Sequence, residues 1–310
     1  VNAGIAATLN VVLDLVLGLG WGPFPGLGYR GIAYATATAT TVGMLLNLSY
    51  LFWGSGKMLQ AALIRPLSRC VRNLVRLGFP SALQQVAWNA GTLVVYFLVS
   101  RLQTGEVTAL AAMTAGLRIE AIIFLPIFAF NMASAVLTGN RLGAGDTTGA
   151  RSGAVATAGL ALGVILIPCM LIFILAPYLS PLLSDDPAVV AEMVRYLRIN
   201  MVGSPFMAVG VVLSGALQGA GDTYATMRII FTGMWGFRIP LILLVIYGIG
   251  LGSTGIWCAM TVSLILMCGL LVARFRGGAW LSSSKQKGKN ALLWEACLRP
   301  EGATKGSLDS

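Results

Sequence analysis

The sequence contains no histidine, so no imidazole is on hand to relay a proton or ligate a metal. Charge is scarce as well. Only 10% of the 310 residues are Asp, Glu, Lys or Arg, against about a quarter in a soluble domain, so most of the surface cannot be meeting water. The five cysteines (Cys70, Cys169, Cys258, Cys268, Cys297) form no CxxC pair and are odd in number, which argues against a disulfide framework or a zinc site. Three of them fall inside apolar runs and read as small packing residues. Alternating segments about ten residues long are missing too, and with them the signature of a membrane β-barrel. No Ser, Cys or other nucleophile is paired with a base as an intramembrane enzyme would need. The expectation is a protein that is no enzyme and takes no cofactor.

What the chain does have is hydrocarbon-compatible length. It is 57% hydrophobic with mean hydropathy +0.82, and a helical span needs about 20 predominantly apolar residues. Eight runs qualify: 1–20, 31–54, 78–100, 107–138, 151–177, 190–217, 226–249 and 254–273. Backbone groups in lipid must bond within their own segment, so the fold class is an all-α polytopic membrane protein. The connectors are short and rich in Gly, Pro and Asp, as turns between spans are.

Basic residues set the orientation. Alternate connectors and the tail hold Lys57, Arg65, Arg69, Arg72, Arg76, Arg141, Arg151, Arg228, Arg274, Arg276, Lys285, Lys287 and Lys289; the opposite connectors hold only Arg30, Arg101, Arg195 and Arg198. The positive-inside rule makes the first side cytoplasmic, with the C-terminus inside. The net charge of +10 is thereby a topology signal, and dispersal of the basic residues among spans speaks against nucleic acid as a partner. The expected partners are membrane lipid and a small molecule, with the protein a monomer.

Two internal repeats organise the chain. GLGYRGIAYAT (26–36) matches GLGSTGIWCAM (250–260) at a shift of 224 residues, both at an outer connector with the same direction. That describes parallel halves related by an axis along the membrane normal; chance similarity of glycine-rich turns is the alternative. GNRLGAGDT (139–147) matches GALQGAGDT (215–223) at cytoplasmic helix ends, where Gly tolerates the left-handed conformation and Asp caps the following helix. The division expected is the last two helices of one lobe over 1–54, a cytoplasmic amphipathic linker over 55–77, a six-helix lobe over 78–276, and a disordered cytoplasmic tail over 277–310. Val1 already stands in a helical pattern, which reads as a piece of a larger protein.

The informative residues are those that hydrocarbon should reject. An ionisable group at the bilayer centre costs at least about 2.5–3.5 kcal/mol on insertion scales and normally faces a polar interior. Asp14, Arg118, Glu120 and Arg238 qualify. Asn10 and Asp14 are four apart and share a helix face, giving two oxygens suited to a hard cation such as Na⁺; a desolvated Asp14 could hold a proton instead. A hydrogen-bonded pair that only stabilises the helix is the alternative. The run ATATATT (35–41) reads as a small-residue interface from which one threonine could add a ligand oxygen. Arg118 and Glu120, two apart, point to nearly opposite sides, so at least one needs another partner, which for Glu120 is a substrate, a proton or an ion pair with Arg238. Pro126 should bend its helix and free carbonyls, and Pro240 should weaken the helix that Arg238 begins. Gln84 and Trp88 share a face suited to an amphipathic cation.

Taken together, NVVLD (10–14), GPFPGLGYRGIAYAT (22–36), GFPSALQQ (78–85), RIEAIIFLP (118–126) with the LGAGD connector, GALQGAGDTYATMR (215–228) and RIPLILLVIYGIGLGSTGIW (238–257) resemble the multidrug and toxic compound extrusion (MATE) antiporters, in the family's order over residues 1–276. The resemblance implies a twelve-helix, two-lobe transporter, of which this chain is similar to helices five to twelve. It implies export of cationic amphipathic compounds in exchange for Na⁺ or H⁺ by alternating access. It assigns Asn10, Asp14 and Thr36 to the coupling cation, a possible Na⁺ site, and Glu120 to the helix-eight acid of many members; Gln84, Trp88, Arg118 and Arg238 join Glu120 as the expected substrate or proton path. The sequence departs from the family where many members carry a helix-seven Glu, since Gln84 and Trp88 occupy that region. A flippase for lipid-linked saccharides or lipid II, of similar two-lobe plan, is the alternative; only two intramembrane arginines, with two acids beside them, favour a cationic cargo.

Overall fold

A computed structural model describes residues 2–21, 26–53, 68–102 and 104–281. The chain divides into two compact units, Val1–Val71 and Arg72–Ser310. Every described element is helical, and six helices are long and apolar enough to cross a membrane.

The first unit is a helix pair. Helix α1 (Asn2–Leu13) continues as a π-helical turn over Asp14–Gly18, and α2 spans Tyr29–Trp53. Gly31, Ala35, Ala39 and Gly43 recur every fourth residue and are all buried. A Cβ on Gly31 would collide with the Leu17 carbonyl, and one on Gly43 would touch Ala6 Cβ at 3.0 Å. Small side chains thus let the two backbones close, as expected of the ATATATT stretch. Thr40 and Thr41 hydroxyls donate to the carbonyls of Thr36 and Ala37, 2.7 and 2.8 Å away, which satisfies them within their own helix.

The second unit holds all but the first turn of α3 (Ser68–Val99), and α4 (Glu106–Gly143), α5 (Thr147–Leu179), α6 (Pro187–Gly219), α7 (Thr223–Ile249) and α8 (Gly252–Arg276). Helix α6 is the most buried span, packed by α4, α5 and α8. Its Gly215 and Gly219 form a GxxxG face: a Cβ on Gly215 would strike the Asn131 carbonyl of α4, and one on Gly219 the Ala135 carbonyl. Asn131 fastens this crossing by donating from Nδ2 to the Val211 carbonyl at 2.6 Å.

The two GAGD turns adopt the expected geometry and then diverge in use. Gly145 and Gly221 have φ of 80° and 85°, and the amides of Asp146 and Asp222 donate back to the carbonyls of Arg141 and Leu217, both at 2.9 Å. Asp146 caps α5 through Gly149 N at 2.7 Å. That bond, then the Arg141 guanidinium, holds its carboxyl below the usual carboxylate range. The cap is therefore intact above the ordinary carboxylate pKa and lost as pH falls through the lowered value. Asp222 makes no side-chain cap; it is buried and pairs with Arg274 at the end of α8, 2.7 Å away.

Several boundaries differ from those read in the sequence. Helix α3 starts at Ser68 and passes through Gly78 and Pro80, so residues 68–77 belong to the same helix as the following span rather than to a separate linker. A proline removes one amide donor, and the rest of the ladder can continue. The remainder of the expected linker, 55–67, lies outside the described residues. Helix α4 likewise runs unbroken through Pro126. In α7 the ladder does change: Thr232–Arg238 and Leu244–Ile249 are π-helical on either side of Ile239–Leu243, which holds Pro240. Packed chain also continues past Arg276. Trp280 is fully buried, stacks on Phe275 with centroids 5.1 Å apart, and donates from Nε1 to the Phe275 carbonyl at 2.8 Å. Residues 282–310, the rest of the expected tail, lie outside the described residues.

Candidate functional site

Two polar places interrupt the apolar helices, one in each unit; that of the first unit is half-buried at Asn10 and Asp14 and exposed at Thr36. In the first unit α1 and its π-helical continuation present Asn10 and Asp14 one turn apart, and α2 presents Thr36 against Asn10. Asn10 Nδ2 donates to Thr36 Oγ1 at 3.4 Å, a long, weak bond. Asp14 Oδ1 is buried and accepts nothing. The residue also sits where the ladder changes from α to π, a feature frequent at functional sites. The sequence placed Asn10 and Asp14 on one face, and the structure adds Thr36 to that face.

In the second unit a cavity of about 140 Å³ lies among α3, α4, α6, α7 and α8. Glu120 of α4 and Arg238 of α7 both line it, each 6% exposed. They do not form the ion pair considered from sequence: none of the three pairs within 4.0 Å among the described residues joins them. Arg238 instead donates from Nε to Ser263 Oγ at 3.0 Å, and its guanidinium lies 5.3 Å from the centre of the Trp88 ring, a cation–π distance. Tyr196 and Asn200 flank the Glu120 carboxyl, yet Glu120 Oε1, Tyr196 OH and Asn200 Nδ2 are each buried with no formed hydrogen bond.

Of the residues expected on a substrate or proton path, the cavity gathers Glu120, Trp88 and Arg238. Arg118 stands apart from these: it is exposed and off the lining of this cavity, because a two-residue step turns about 200° around the helix. Gln84 is the other expected residue that this cavity does not gather. It lies one turn from Trp88, and its Oε1 is buried without a partner.

Helix α6 supplies what sequence reasoning missed. Glu192, Tyr196, Asn200 and Ser204 follow each other at four-residue intervals, and all four are buried, forming one polar stripe about 18 Å long. That four-residue spacing is the signal the sequence carries. Its carboxylate accepts from Trp257 Nε1 at 2.7 Å and from Arg195 Nη1 at 2.9 Å. The Trp257 ring meets Tyr196 edge-on, with centroids 4.8 Å apart. Gly116 leaves room for the tyrosine, since a Cβ there would fall 2.5 Å from its ring. Glu192 thus holds the tryptophan that seats Tyr196 beside Glu120. Glu192→Ala should leave the buried Trp257 N–H without an acceptor and lower stability by about 1–3 kcal/mol. Thermal unfolding in detergent checks this, with Glu192→Gln, which keeps an acceptor, losing clearly less.

Among the described residues no group of three or more His, Cys, Asp and Glu side chains could hold a metal ion. What the arrangement offers chemically is buried polar atoms with unused hydrogen-bonding capacity, set in apolar helices.

The family model MatE matches residues 80–244, more than half of the chain. The chain belongs to the MatE family. Its curated relatives include the probable multidrug resistance protein NorM of Thermotoga maritima, 26% identical over 281 residues, covering 89% of this chain and 59% of that protein. The multidrug resistance protein NorM of Burkholderia vietnamiensis is 30% identical over 279 residues, covering 86% and 58%. The multidrug resistance protein MdtK of Pectobacterium atrosepticum is 28% identical over 281 residues, covering 88% and 60%. This MatE chain therefore spans about three-fifths of the length of these relatives. Among solved structures, a MOP superfamily transporter from Pyrococcus furiosus superposes with a TM-score of 0.81 at 19% identity, over 92% of this chain and 62% of that one. The MATE transporter ClbM in complex with Rb⁺ superposes with a TM-score of 0.75 at 21% identity, over the same shares. At such identity the likeness establishes the fold: an all-helical, multi-pass membrane protein of the two-lobe MATE type.

Proposed function

We propose that the whole protein exports cationic amphipathic drugs and toxic compounds, in exchange for Na⁺ or H⁺, by alternating access. Residues 1–54 complete one lobe, 78–276 form the other, and the C-terminus is cytoplasmic. Asn10, Asp14 and Thr36 bind the coupling cation. The observation that carries this reading is the unpartnered, buried Asp14 Oδ1, one turn from an Asn10–Thr36 pair held at 3.4 Å. A carboxylate without a partner in an apolar helix is costly unless a cation or proton neutralises it. Multidrug resistance proteins from three bacteria among its relatives support drug export over the flippase alternative. For ion occupancy to drive transport, the site must bind its ion differently in the inward-open and outward-open states.

Proteoliposomes test the reading. With ethidium inside and either a Na⁺ or a proton gradient imposed, one gradient should drive saturable dye exit that stops when the gradient is collapsed. Non-saturating exit indifferent to both gradients would mark a channel or leak instead.

A further inference from the structure

A cavity meant only for cations would not be built around a guanidinium with no carboxylate paired to it. Arg238 has five N–H groups, and the only hydrogen bond it makes among the described residues is from Nε to Ser263. Its Nη groups, beside Trp88, are left for what enters the cavity. Glu120, in the same cavity, keeps one buried oxygen with no hydrogen bond, flanked by the Tyr196 hydroxyl and Asn200 Nδ2, which form none either, although Asn200 Oδ1 accepts from Thr261 Oγ1 at 3.4 Å. Both residues are more than nine-tenths buried, and they are not paired with each other. The rest of the lining is Met, Leu, Phe and Val side chains, with the hydroxyls of Thr92 and Ser204 among them; these bond carbonyls of their own helices, those of Trp88 and Asn200.

A buried polar group costs free energy until something hydrogen-bonds it. One ligand able to satisfy both ends carries a carboxylate for the Arg238 fork and a protonated amine for Glu120. About 140 Å³ is close to the size that holds a single benzene ring. We propose that the cavity among α3, α4, α6, α7 and α8 binds an amphoteric, single-ring compound, or such a portion of a larger one, with its carboxylate on Arg238 and its amine on Glu120.

The 224-residue repeat makes the contrast between the units concrete. Asp14 of the first unit corresponds by that shift to Arg238 of the second, and both lie in π-helical turns. The position that offers a negative group for a cation in one half offers a positive group for an anion in the other. The site goes beyond the cation-export reading, because it needs neither an ion gradient nor Asp14.

The test is equilibrium binding to the purified protein by calorimetry, with no gradient present, using 4-(aminomethyl)benzoate, benzoate and benzylamine. The amphoteric probe should bind at least about tenfold more tightly than either singly charged one, one extra charge-assisted bond being worth about that factor. Arg238→Gln should reduce it to the level of benzylamine, and Glu120→Gln to the level of benzoate. Binding of benzylamine as tight as that of the amphoteric probe, or no binding of any of the three, overturns the proposal. So does an amphoteric preference that survives Arg238→Gln. Should a variant fail to fold, the three-probe comparison on the unsubstituted protein decides alone. Loss of ion-driven export in the vesicle assay alongside intact amphoteric binding would count against the exporter reading and leave this one standing.

Discussion

Asp14→Asn should abolish ion-driven drug efflux while leaving the protein folded in the membrane. The substitution is nearly isosteric and keeps a carbonyl oxygen beside Asn10 and Thr36, so the α1–α2 packing through Gly31, Ala35, Ala39 and Gly43 is undisturbed. What disappears is the formal negative charge and the titratable oxygen. A neutral amide binds Na⁺ poorly and a proton not at all in the working pH range. With no ion bound differently in the two access states, no driving force reaches the cargo. Coupling free energies between sites typically amount to factors of up to about a hundred, so gradient-stimulated efflux should fall on the order of a hundredfold, to the rate of protein-free vesicles. Retained membrane content, measured on the same preparations, separates loss of coupling from loss of protein. Asn10→Ala should produce a smaller loss, because Asn10 contributes a neutral ligand and leaves the charge in place.

Gly219→Leu should cause the largest loss of stability. Helices α4 and α6 approach until a Cβ on Gly219 would overlap the Ala135 carbonyl, and a backbone atom cannot rotate aside as a side chain can. Overpacking a well-packed core costs about 1–3 kcal/mol when side chains can adjust; against backbone the expectation is about 3 kcal/mol or more, roughly 10 °C in melting temperature for a chain of this size. Spreading this crossing would also separate Glu120 from Tyr196, so activity should fall with stability. Gly163→Ala on α5 is the matched control. Nothing stands within 4 Å of its Cβ position, and alanine favours helix over glycine by about 1 kcal/mol, so its melting temperature should hold or rise.

The helical framework was legible because hydrocarbon imposes one strong rule, about 20 apolar residues per span, and all eight runs reappear as helices. The opposition of Arg118 and Glu120 followed from helical geometry alone. Boundaries were harder. Gly78 and Pro80 look like a helix start, yet α3 carries through them, because neither residue by itself outweighs a continuous hydrogen-bond ladder. Trp280 follows a run of arginine and glycine that reads as the end of packed chain, and only its stacking on Phe275 shows otherwise.

The site was legible in part. Asn10 and Asp14 are local in sequence, so their common face could be computed. Tyr196, Asn200 and Glu192 carried a four-residue period that was available but masked, since Glu192 falls near the helix start, where a charge is unremarkable. Whether Glu120 and Arg238 would pair depended on how far α4 and α7 stand apart, which no local pattern encodes. The π turns at Asp14 and Arg238 had no sequence signature either; they depend on how each helix end is held by its neighbours.

In the proposed mechanism a cation taken up at Asp14 moves against the exported drug. The most direct test is to record both fluxes in the same vesicles, with ethidium leaving and the imposed ion, Na⁺ or H⁺, moving the opposite way. This mechanism predicts opposed fluxes in a fixed ratio, with both falling to background in Asp14→Asn. Dye movement without opposed ion movement, or opposed fluxes that persist unchanged in Asp14→Asn, would contradict it.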